Sequence, residues 1–322
     1  MSVLRDSTVL VTGGTGSLGT AFARHALEDL GVARLVVFSR DEQKQYEMRR
    51  EFADSRIRFV LGDVRDLDSL VGAMRGVDHV VHAAALKQVD TAEYQAYEFA
   101  RTNIVGSRNV IEAAVETGVR RVVALSTDKA SSPTNLYGAT KMVSDKLFTS
   151  AQGHGTLFSV VRYGNVMGSR GSVIPLFRRL VAQGGELPIT DKRMTRFWIT
   201  GEHAVRFIVD TFDAMRGGEL FVPRLPSMKV TDLAEAVAPG WPSYEVGMRP
   251  GERLHEEMIA AEDSSRAYRL DDRYLVLPTT PVEYEPAPDC RPVTVGFSYR
   301  SDTNDQWLSV EELRGMLDVV AP

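Results

Sequence analysis

Residues 8–19 read TVLVTGGTGSLG, in which a short apolar run is followed by glycines at the spacing G-x-x-G-x-x-G. The apolar run predicts a buried strand over Thr8–Thr12, and the glycines predict a tight turn that opens a helix ending near Gly31. Glycine at such a turn lets the backbone approach a pyrophosphate, whose charge is favoured by a helix N-terminus. The same glycines could also form a plain strand-to-helix turn, so the residues that follow decide between the two.

Strands and helices alternate downstream of this turn. Further strands are predicted at residues 35–39, 57–61, 77–83, 122–126 and 158–162, and helices at residues 41–52, 67–75, 92–118, 137–151, 201–215 and 230–237. Strands that are separated by helices and short turns form parallel βαβ units. The expected fold class is therefore α/β, with a doubly wound parallel sheet of the Rossmann type. The turn after the first strand of such a sheet is the usual place for a dinucleotide.

The alternation ends near residue 165. Beyond it, glycine and proline become frequent and the segments become short, which predicts a smaller interleaved α/β domain that binds the substrate. The expected division gives residues 1–165 plus about 199–222 to the dinucleotide-binding domain, and about 166–198 plus 223–322 to the substrate domain. The proline-rich residues 277–292 predict an irregular connection.

Composition excludes several classes of protein. The 322 residues are 43% hydrophobic and 25% charged with a formal net charge of -5, which is typical of a soluble globular protein that has no general attraction to nucleic acid. A single cysteine, Cys290, excludes an internal disulfide, and the six histidines have no metal-ligand spacing, so no metal is expected. The chain shows no leader and no apolar run of membrane-spanning length, so we expect a cytoplasmic protein without a membrane partner.

The end of the second strand indicates which dinucleotide would bind. This position usually presents Asp or Glu to the ribose of NAD, but this chain has Ser39 and Arg40, followed by Lys44. A hydroxyl and two cations suit a 2′-phosphate, which favours NADP. The alternative is that the two cations merely form the solvated, basic start of a charged helix.

Two further strand ends belong to the same predicted site. Asp63 and Val64 follow the third strand, where a carboxylate can accept a hydrogen bond from adenine, and alanines at 83–85 follow the fourth, where small side chains let the backbone lie against the dinucleotide. Open α/β sheets bind ligands at the carboxyl ends of their strands, which favours binding over generic strand ends. The cofactor contacts predicted from these turns are Gly13, Thr15, Gly16, Ser17, Leu18, Gly19, Ser39, Arg40, Lys44, Asp63, Val64, Ala83, Ala84 and Ala85.

Tyr137 and Lys141 lie four residues apart, and hence on one face of a predicted helix, where the cation can lower the pKa of the phenol toward that of a working base. Asp128 and Lys129 provide a second acid/base pair just upstream. Each pair could be structural, as a half-buried Tyr above a solvated Lys or as an ion pair at a strand end. Both pairs stand close to a strand that should end at the nicotinamide, which favours a redox step for one pair and an elimination for the other.

These motifs together resemble the extended short-chain dehydrogenase/reductases and, among them, the inverting UDP-N-acetylglucosamine 4,6-dehydratases. The resemblance covers nearly the whole chain. Its most specific element is Asp128-Lys129, because the retaining 4,6-dehydratases carry Asp-Glu at the same place. Asp90, three residues beyond Lys87, departs from the family pattern, which has an apolar residue or proline there. The other matching stretches are residues 39–42, 83–87, 126–130, 161–166, 168–173, 193–200, 249–252 and 299–308.

The resemblance implies a redox-neutral dehydration of a UDP-sugar with NADP as the cofactor. Tyr137 would take the proton of the C4 hydroxyl, and Thr127, or Ser126, would hydrogen-bond the same hydroxyl. Lys141 would hold the nicotinamide ribose and keep Tyr137 acidic. A 4-keto sugar would result.

The same resemblance gives the elimination to the second pair. Lys129 would remove the C5 proton, and Asp128 would protonate the departing C6 hydroxyl. Hydride would return to C6, and C5 would be reprotonated from the opposite face. Lys129 must then be neutral near pH 7, and burial together with the neighbouring cation Lys141 is the expected cause of a lowered pKa.

Further contacts are implied by the resemblance. The additional cofactor contacts are Lys87, Asn103, Tyr137, Lys141 and Val166. The substrate contacts are Lys87, Asn165, Arg170, Gly171, Ser172, Val173, Thr190, Arg196, Arg249 and Glu252. Cations suit a diphosphate, and amides or hydroxyls suit a uracil or a sugar, although each Arg alone could equally form a surface salt bridge. The resemblance also implies a homo-oligomer, either a dimer or a hexamer.

Two alternatives stay open on the sequence. The first is a related C5-retaining dehydratase or a C4 epimerase that acts on another nucleotide sugar. The second is a non-catalytic NADP-sensing protein with the same fold. Such regulators typically lose the Tyr or the Lys of the redox pair, and this chain has both.

Overall fold

The computed structural model describes residues 2–151, 155–169, 172–279 and 289–319. The predicted substrate contacts Arg170 and Gly171, and most of the predicted connection at residues 277–292, lie outside the described residues. The described strands are β1 (Thr8–Thr12), β2 (Arg34–Ser39), β3 (Ile57–Leu61), β4 (His79–His82), β5 (Arg121–Thr127), β6 (Leu157–Tyr163), β7 (Asn165–Val166), β8 (Leu187–Ile189), β9 (Thr195–Ile199), β10 (Leu220–Pro223), β11 (Ser227–Lys229), β12 (Ser243–Glu245), β13 (Glu257–Ile259), β14 (Ala267–Arg269), β15 (Arg273–Val276), β16 (Arg291–Pro292) and β17 (Tyr299–Arg300).

Helices connect most of these strands. The α-helices are α1 (Ser17–His25), α2 (Glu42–Glu51), α3 (Leu67–Met74), α4 (Val89–Tyr94), α5 (Ala96–Phe99), α6 (Gly106–Thr117), α7 (Leu136–Ser150), α8 (Val173–Ala182), α9 (Gly201–Ala214), α10 (Val230–Val237) and α11 (Val310–Val319). Two π-helical segments, Ala26–Leu30 and Ala100–Val105, follow α1 and α5, and 3-10 turns occupy Asp128–Ala130 and Ala261–Arg266.

The central sheet has, in the described part of the chain, the strand order β16-β14-β15-β10-β6-β5-β4-β1-β2-β3. Its strands from β10 to β3 all pair in parallel, so the predicted α/β fold with a doubly wound parallel sheet is confirmed. Leu10 packs with Val36 in the core on one face of the sheet, while Val9 and Val11 pack with Phe22 on the other. Burial on both faces explains why β1 is a continuous apolar run.

The predicted helix over residues 92–118 is broken in the structure. α4 ends at Tyr94 because Gln95 leaves the helical region, with φ -120° and ψ 41°, and a π-helical segment precedes α6. Asn103 lies in that segment, and its side-chain amide accepts from Leu86 N at 2.8 Å and donates to Leu86 O at 2.9 Å. The irregular backbone therefore ties this helix to the loop after β4, a tertiary contact that apolar periodicity does not reveal.

Smaller elements from the second half of the chain form further layers. β7, β9 and β11 form one sheet, β8 pairs with β12, and β13 pairs with β17. α8, α10 and α11 pack around Trp198 and Met228. β14 to β16 fall within residues 223–322 and yet extend the central sheet, and the division into two domains stays a prediction. None of the described helices is long and apolar enough to cross a membrane.

Candidate active site

A cavity of about 600 Å³ lies at the carboxyl ends of the parallel strands β1 to β6. All predicted cofactor contacts except Asn103 line it, and Asn103 instead forms hydrogen bonds with the backbone of Leu86. The predicted catalytic residues also line it: Thr127, Asp128, Lys129, Tyr137 and Lys141. The roles of these residues stay predictions, but the structure brings the side chains together.

The glycine turn is packed too tightly to accept side chains. Gly13 has φ +65°, and a Cβ there would lie 2.8 Å from Ala84 Cα. A Cβ on Gly19 would lie 2.5 Å from Gly14 Cα. α1 begins directly afterwards and carries no acidic residue in its first turn, so the positive end of its dipole borders the cavity uncompensated. This arrangement fits a pyrophosphate.

Two cations border the cavity beyond the end of β2. Arg40 Nη1 lies 3.6 Å from Asp63 Oδ2, and Lys44 Nζ lies 2.5 Å from Asp41 Oδ2. Both cationic side chains are about half exposed, and Ser39, whose hydroxyl pairs with that of Thr15 at 2.9 Å, also lines the cavity. The set fits a dinucleotide ribose, with or without a phosphate on it.

Asp63, the predicted acceptor for adenine, is engaged within the protein. Its Oδ2 accepts from Arg65 Nε at 2.9 Å and from Arg65 Nη2 at 2.6 Å. Burial raises the pKa of Asp63, but the hydrogen bonds from Arg65 outweigh burial and hold the pKa below its usual value. The cavity therefore meets an ionised carboxylate that is shared with a neighbouring guanidinium.

α7 packs directly onto the turn that carries Asp128 and Lys129. β5 ends at Thr127, whose hydroxyl donates to Asp128 Oδ1 at 2.9 Å. α7 begins after Asn135, which caps the helix by accepting from Gly138 N at 2.8 Å. A Cβ on Gly138 would lie only 2.1 Å from Lys129 O, so glycine is what permits this close approach. The contact brings the two predicted acid/base pairs into one cavity.

Tyr137 and Lys141 lie one turn apart on α7. Burial raises the pKa of Tyr137 to about 12, while the positive charge of Lys129 and a hydrogen bond with Thr127 act in the opposite direction. Burial also lowers the pKa of Lys141, against the charge of Asp145. The expectation that Lys141 lowers the pKa of the phenol toward that of a working base is therefore corrected: Lys129 is the cation with the largest effect on it, and burial outweighs that charge.

Lys129 also departs from its prediction. Its Nζ donates to Asp128 Oδ1 at 3.1 Å and to Glu256 Oε1 at 3.2 Å, and both carboxylates are buried. Burial lowers the pKa of Lys129, but the two carboxylates outweigh burial and the charge of Arg196, so the pKa lies above its usual range. The expectation of a lowered pKa with Lys141 as a cause is wrong, because Lys129 is an ammonium ion between two carboxylates.

The predicted substrate contacts divide into two groups. Lys87, Asn165 and Ser172 line the cavity, and burial lowers the pKa of Lys87. The other described contacts do not line it, and for all of them binding stays a prediction. These residues are Val173, Thr190, Arg196, Arg249 and Glu252.

Arg196 is engaged inside the protein, and its role as a substrate contact stays a prediction. Its Nη1 donates to the carbonyls of Thr195 and Leu254 at 2.7 and 3.0 Å, and its Nη2 donates to the carbonyl of Arg253 at 3.2 Å. Its Nε lies 3.4 Å from Glu256 Oε1. These partners hold the guanidinium against the carboxylate that contacts Lys129.

The loop that contains Arg249 and Glu252 packs against the start of α7. Gly251 O accepts from Asn135 Nδ2 at 2.9 Å, next to the helix cap. Arg249 N donates to Glu252 Oε2 at 2.9 Å, and Arg249 Nη1 lies 3.2 Å from Asp90 Oδ2 on the exposed surface. Asp90, the departure from the family pattern, is therefore the ion-pair partner of this loop.

Two groups beside the catalytic pairs were not predicted as site residues. Tyr163 ends β6 and lines the cavity. Its pKa is raised, mainly by burial and to a smaller extent by the charge of Tyr137. Glu256 reaches Lys129 from 127 residues further along the chain. The position of Tyr163 at a strand end could have revealed it, whereas no local signal marks Glu256.

Comparison with known proteins agrees with this geometry. A family model described as "Polysaccharide biosynthesis protein" matches residues 9–278. A protein of Campylobacter jejuni subsp. jejuni serotype O:23/36 (strain 81-176), named UDP-N-acetylglucosamine 4,6-dehydratase (inverting), is 48% identical over 99% of this chain and 98% of its own length. The likeness therefore extends over both the glycine turn and the second half of the chain.

Solved structures show the same architecture. Pen from Bacillus thuringiensis superposes with a TM-score of 0.91 at 36% identity, and the match covers 98% of each chain. DesIV, a dTDP-glucose 4,6-dehydratase from Streptomyces venezuelae with NAD and TYD bound, has a TM-score of 0.71 at 29% identity. That match covers 77% of this chain and 86% of DesIV.

Proposed function

The chain belongs to the polysaccharide biosynthesis protein family and to the extended short-chain dehydrogenase/reductases, and from this membership we propose that it dehydrates UDP-N-acetylglucosamine with inversion of C5. The product would be a UDP-4-keto-6-deoxy hexosamine, and the enzyme would be an NADP-dependent hydro-lyase. One observation carries the proposal: the pair Tyr137 and Lys141 and the pair Asp128 and Lys129 line one cavity. One pair suits oxidation at C4, and the other suits elimination across C5 and C6.

In the oxidation, Tyr137 accepts the proton of the C4 hydroxyl, which Thr127 orients. The positive charge of Lys129 lowers the pKa of this phenol and so opposes the effect of burial, which favours the phenolate that the step needs. Lys141 holds the nicotinamide ribose. A bound nicotinamide dinucleotide would supply the redox chemistry, by taking a hydride from C4 and returning it at C6.

In the elimination, Lys129 accepts the C5 proton, which the 4-keto group has made acidic. Asp128 donates a proton to the C6 hydroxyl, so that the C6–O bond breaks and water leaves. Asp128 and Lys129 reach this neutral acid and amine form when one proton moves from Nζ to Oδ1, across the observed 3.1 Å. A proton from solvent then reaches C5 from the opposite face, which gives the inverted product. Tyr137 releases to solvent the proton that it took from the C4 hydroxyl, and the proton on Lys129 restores the ion pair with Asp128.

The proposed cofactor is NADP. A nicotinamide dinucleotide fits the glycine turn and the start of α1, and DesIV was solved with NAD. The choice of NADP rests on Ser39, Arg40 and Lys44, which border the cavity where the adenosine ribose would lie. A 2′-phosphate would compete with Asp63 and Asp41 for the two cations.

The remaining proposals concern the substrate and the assembly. Lys87 is a cation that lines the cavity, and it follows closely after the alanines at 83–85. We assign Lys87, together with Asn165 and Ser172, to binding of the diphosphate. A homo-oligomer is supported by the exposed apolar surface of α4 and α5, where Tyr94 is 86% exposed and Tyr97 is 73% exposed. The cytoplasmic location stays a prediction.

The test is incubation with UDP-N-acetylglucosamine in deuterated water, with the product followed by NMR. We expect loss of water, deuterium at C5 and inverted configuration there. Lys129→Ala should abolish the elimination while NADP binding, measured by calorimetry, is retained. Sugar that is not consumed would support the regulator alternative, and retained configuration at C5 would support the related dehydratase.

A further inference from the structure

Glu256 is a buried carboxylate that reaches the second acid/base pair from a distant part of the chain. It lies directly before β13, and its backbone N–H donates to Ser301 Oγ at 2.9 Å. Its side chain is only 3% exposed, and its Oε1 lies 3.2 Å from Lys129 Nζ and 3.4 Å from Arg196 Nε. A carboxylate is costly to bury unless it is paired, and one partner here is the amine that the proposed elimination requires.

Four charged groups form this cluster, and their formal charges sum to zero. Asp128 and Glu256 are the anions, and Lys129 and Arg196 are the cations. When a proton moves from Lys129 Nζ to Asp128 Oδ1, a neutral amine and a carboxylic acid replace an ion pair and the sum stays at zero. The reactive form therefore needs no proton exchange with solvent.

The neutral amine of Lys129 must also be held in one orientation. It has one lone pair, which must point at C5, and two N–H bonds, which need acceptors because the site is largely buried. Asp128 is an acceptor in the ion pair, but in the reactive form it carries the proton that goes to the C6 hydroxyl. Glu256 Oε1 is the acceptor that remains in contact with Lys129 Nζ.

We propose that Glu256 is a positioning residue that accepts an N–H of neutral Lys129 and thereby directs the lone pair of the amine toward C5 during elimination. This inference rests on the proposed function. Arg196 completes the arrangement, since three backbone carbonyls anchor its guanidinium beside Glu256 and its charge offsets that of the carboxylate. Without Arg196, the two carboxylates would favour the ammonium form still more strongly.

Variants at position 256 separate the acceptor from the charge. Glu256→Ala removes the acceptor, so kcat for dehydration should fall about 100-fold, the effect of losing the alignment of a reacting group, while KM for the UDP-sugar is unchanged. Glu256→Gln keeps an acceptor oxygen and should restore most of kcat. Glu257 provides matched controls, because its carboxylate accepts from Ser131 and Ser132 instead, and Glu257→Ala and Glu257→Gln should leave kcat unchanged.

The pH dependence of kcat tests how the negative charge of Glu256 acts on Lys129. Lys129 faces Asp128, Glu256, Arg196 and the phenol of Tyr137. The reactive pair must hold one proton, which Lys129 carries before the reaction. Glu256→Gln removes one anion that stabilises this proton, so the limb on which activity falls at high pH should move to lower pH. A merely structural role for Glu256 would leave that limb in place.

Labelling without any sugar tests Glu256 independently of turnover. Acetic anhydride reacts with neutral amines, so Lys129 in Glu256→Gln should be acetylated faster than in the wild type, normalised to the exposed Lys192 and read by mass spectrometry. If the wild type does not dehydrate UDP-N-acetylglucosamine, the proposed function fails, and labelling alone then supports or overturns the link between Glu256 and Lys129. Folded Ala and Gln variants that match the wild type in kcat, pH profile and labelling would overturn the inference.

Discussion

The cavity has two walls that are built in different ways. The cofactor wall, residues 12–19 and 39–44, comprises the ends of β1 and β2, the turns that follow them and the first residues of α1 and α2. The reaction wall, residues 127–129 and 137–141, is supported by Glu256, which contacts Lys129 from a part of the chain that is far away in sequence. A local motif is enough to specify the first wall, whereas the second depends on how β5, α7 and the segment before β13 pack against one another.

The walls also differ in the burial of their charges. On the cofactor wall, the side chains of Arg40 and Lys44 are 52% and 45% exposed. On the reaction wall, Asp128 is 1% exposed and Lys141 is 3% exposed. Charges interact more strongly where water is excluded, so substitutions on the reaction wall should change chemistry by large factors, and substitutions on the cofactor wall should change affinity by smaller ones.

The largest effect is expected at the phenol of the reaction wall. Tyr137→Phe removes the group that exchanges the C4 proton, and general base catalysis typically contributes about 100- to 10,000-fold. We expect dehydration of UDP-N-acetylglucosamine, followed by NMR, to fall by that factor, while NADP affinity, measured by calorimetry, stays close to that of the wild type. A variant that keeps its activity would remove Tyr137 from the mechanism, and a variant that loses NADP would mean that the two walls are not separable.

The next effect concerns the contact that assembles the reaction wall. Gly138→Ala places a Cβ where Lys129 O lies 2.1 Å away, and since both partners are backbone, the helix and the turn must move apart. We expect a loss of about 1 to 3 kcal/mol in the free energy of unfolding, measured with urea, and a fall in kcat of up to about 100-fold because Lys129 is displaced.

Gly72→Ala is the matched control for that variant. Gly72 lies inside α3, and a Cβ there meets nothing within 4 Å. This substitution should therefore be stabilising by up to about 1 kcal/mol through helix propensity, with kcat unchanged. Equal effects at Gly72 and Gly138 would contradict the packing argument.

The two walls also explain how much the sequence could reveal. The glycine turn and the alternation of strands and helices predicted the sheet and the position of the cavity. These features depend on local backbone requirements and on the spacing of apolar residues along the sequence. The state of Lys129 was predicted wrongly, because its neighbours Glu256 and Arg196 come from distant segments. The π-helical segment that contains Asn103 escaped prediction for a related reason, since Asn103 is fixed by tertiary hydrogen bonds to Leu86.

On the cofactor wall, the predicted effect is on affinity and is specific to one dinucleotide. Arg40→Ala removes a charge that would meet a 2′-phosphate, and loss of a hydrogen bond to a charged group costs about 1.5 to 3 kcal/mol, or roughly 10- to 100-fold in Kd. NADP affinity should fall by that factor, and NAD affinity should change little. Arg49→Ala is the control, because Arg49 lies over Phe59 and away from the cavity. Equal losses for both dinucleotides would contradict the assignment to NADP.

The smallest effect is expected at His82, which connects the two walls. Its Nδ1 lies 2.8 Å from Thr12 Oγ1 at the glycine turn, and its Nε2 lies 3.3 Å from Ser107 Oγ, which bonds Ser144 of α7. Burial, aided by the charge of Lys141, lowers the pKa of His82 to about 3. The ring therefore stays neutral in the folded protein at pH values where the unfolded chain binds a proton.

The sign of the pH dependence follows from that difference. The contribution of His82 to stability is complete above the unfolded pKa of about 6.5 and is lost progressively as the pH falls toward the folded pKa. Between pH 7 and pH 5 this loss amounts to about 2 kcal/mol. His82→Asn keeps polar atoms near Thr12 but does not titrate, so its free energy of unfolding in urea should fall by about 2 kcal/mol less than that of the wild type over this range. Equal losses in the two proteins would mean that His82 binds its proton over the same pH range in the folded protein as in the unfolded chain, and that the junction between the walls is more open to water than its burial implies.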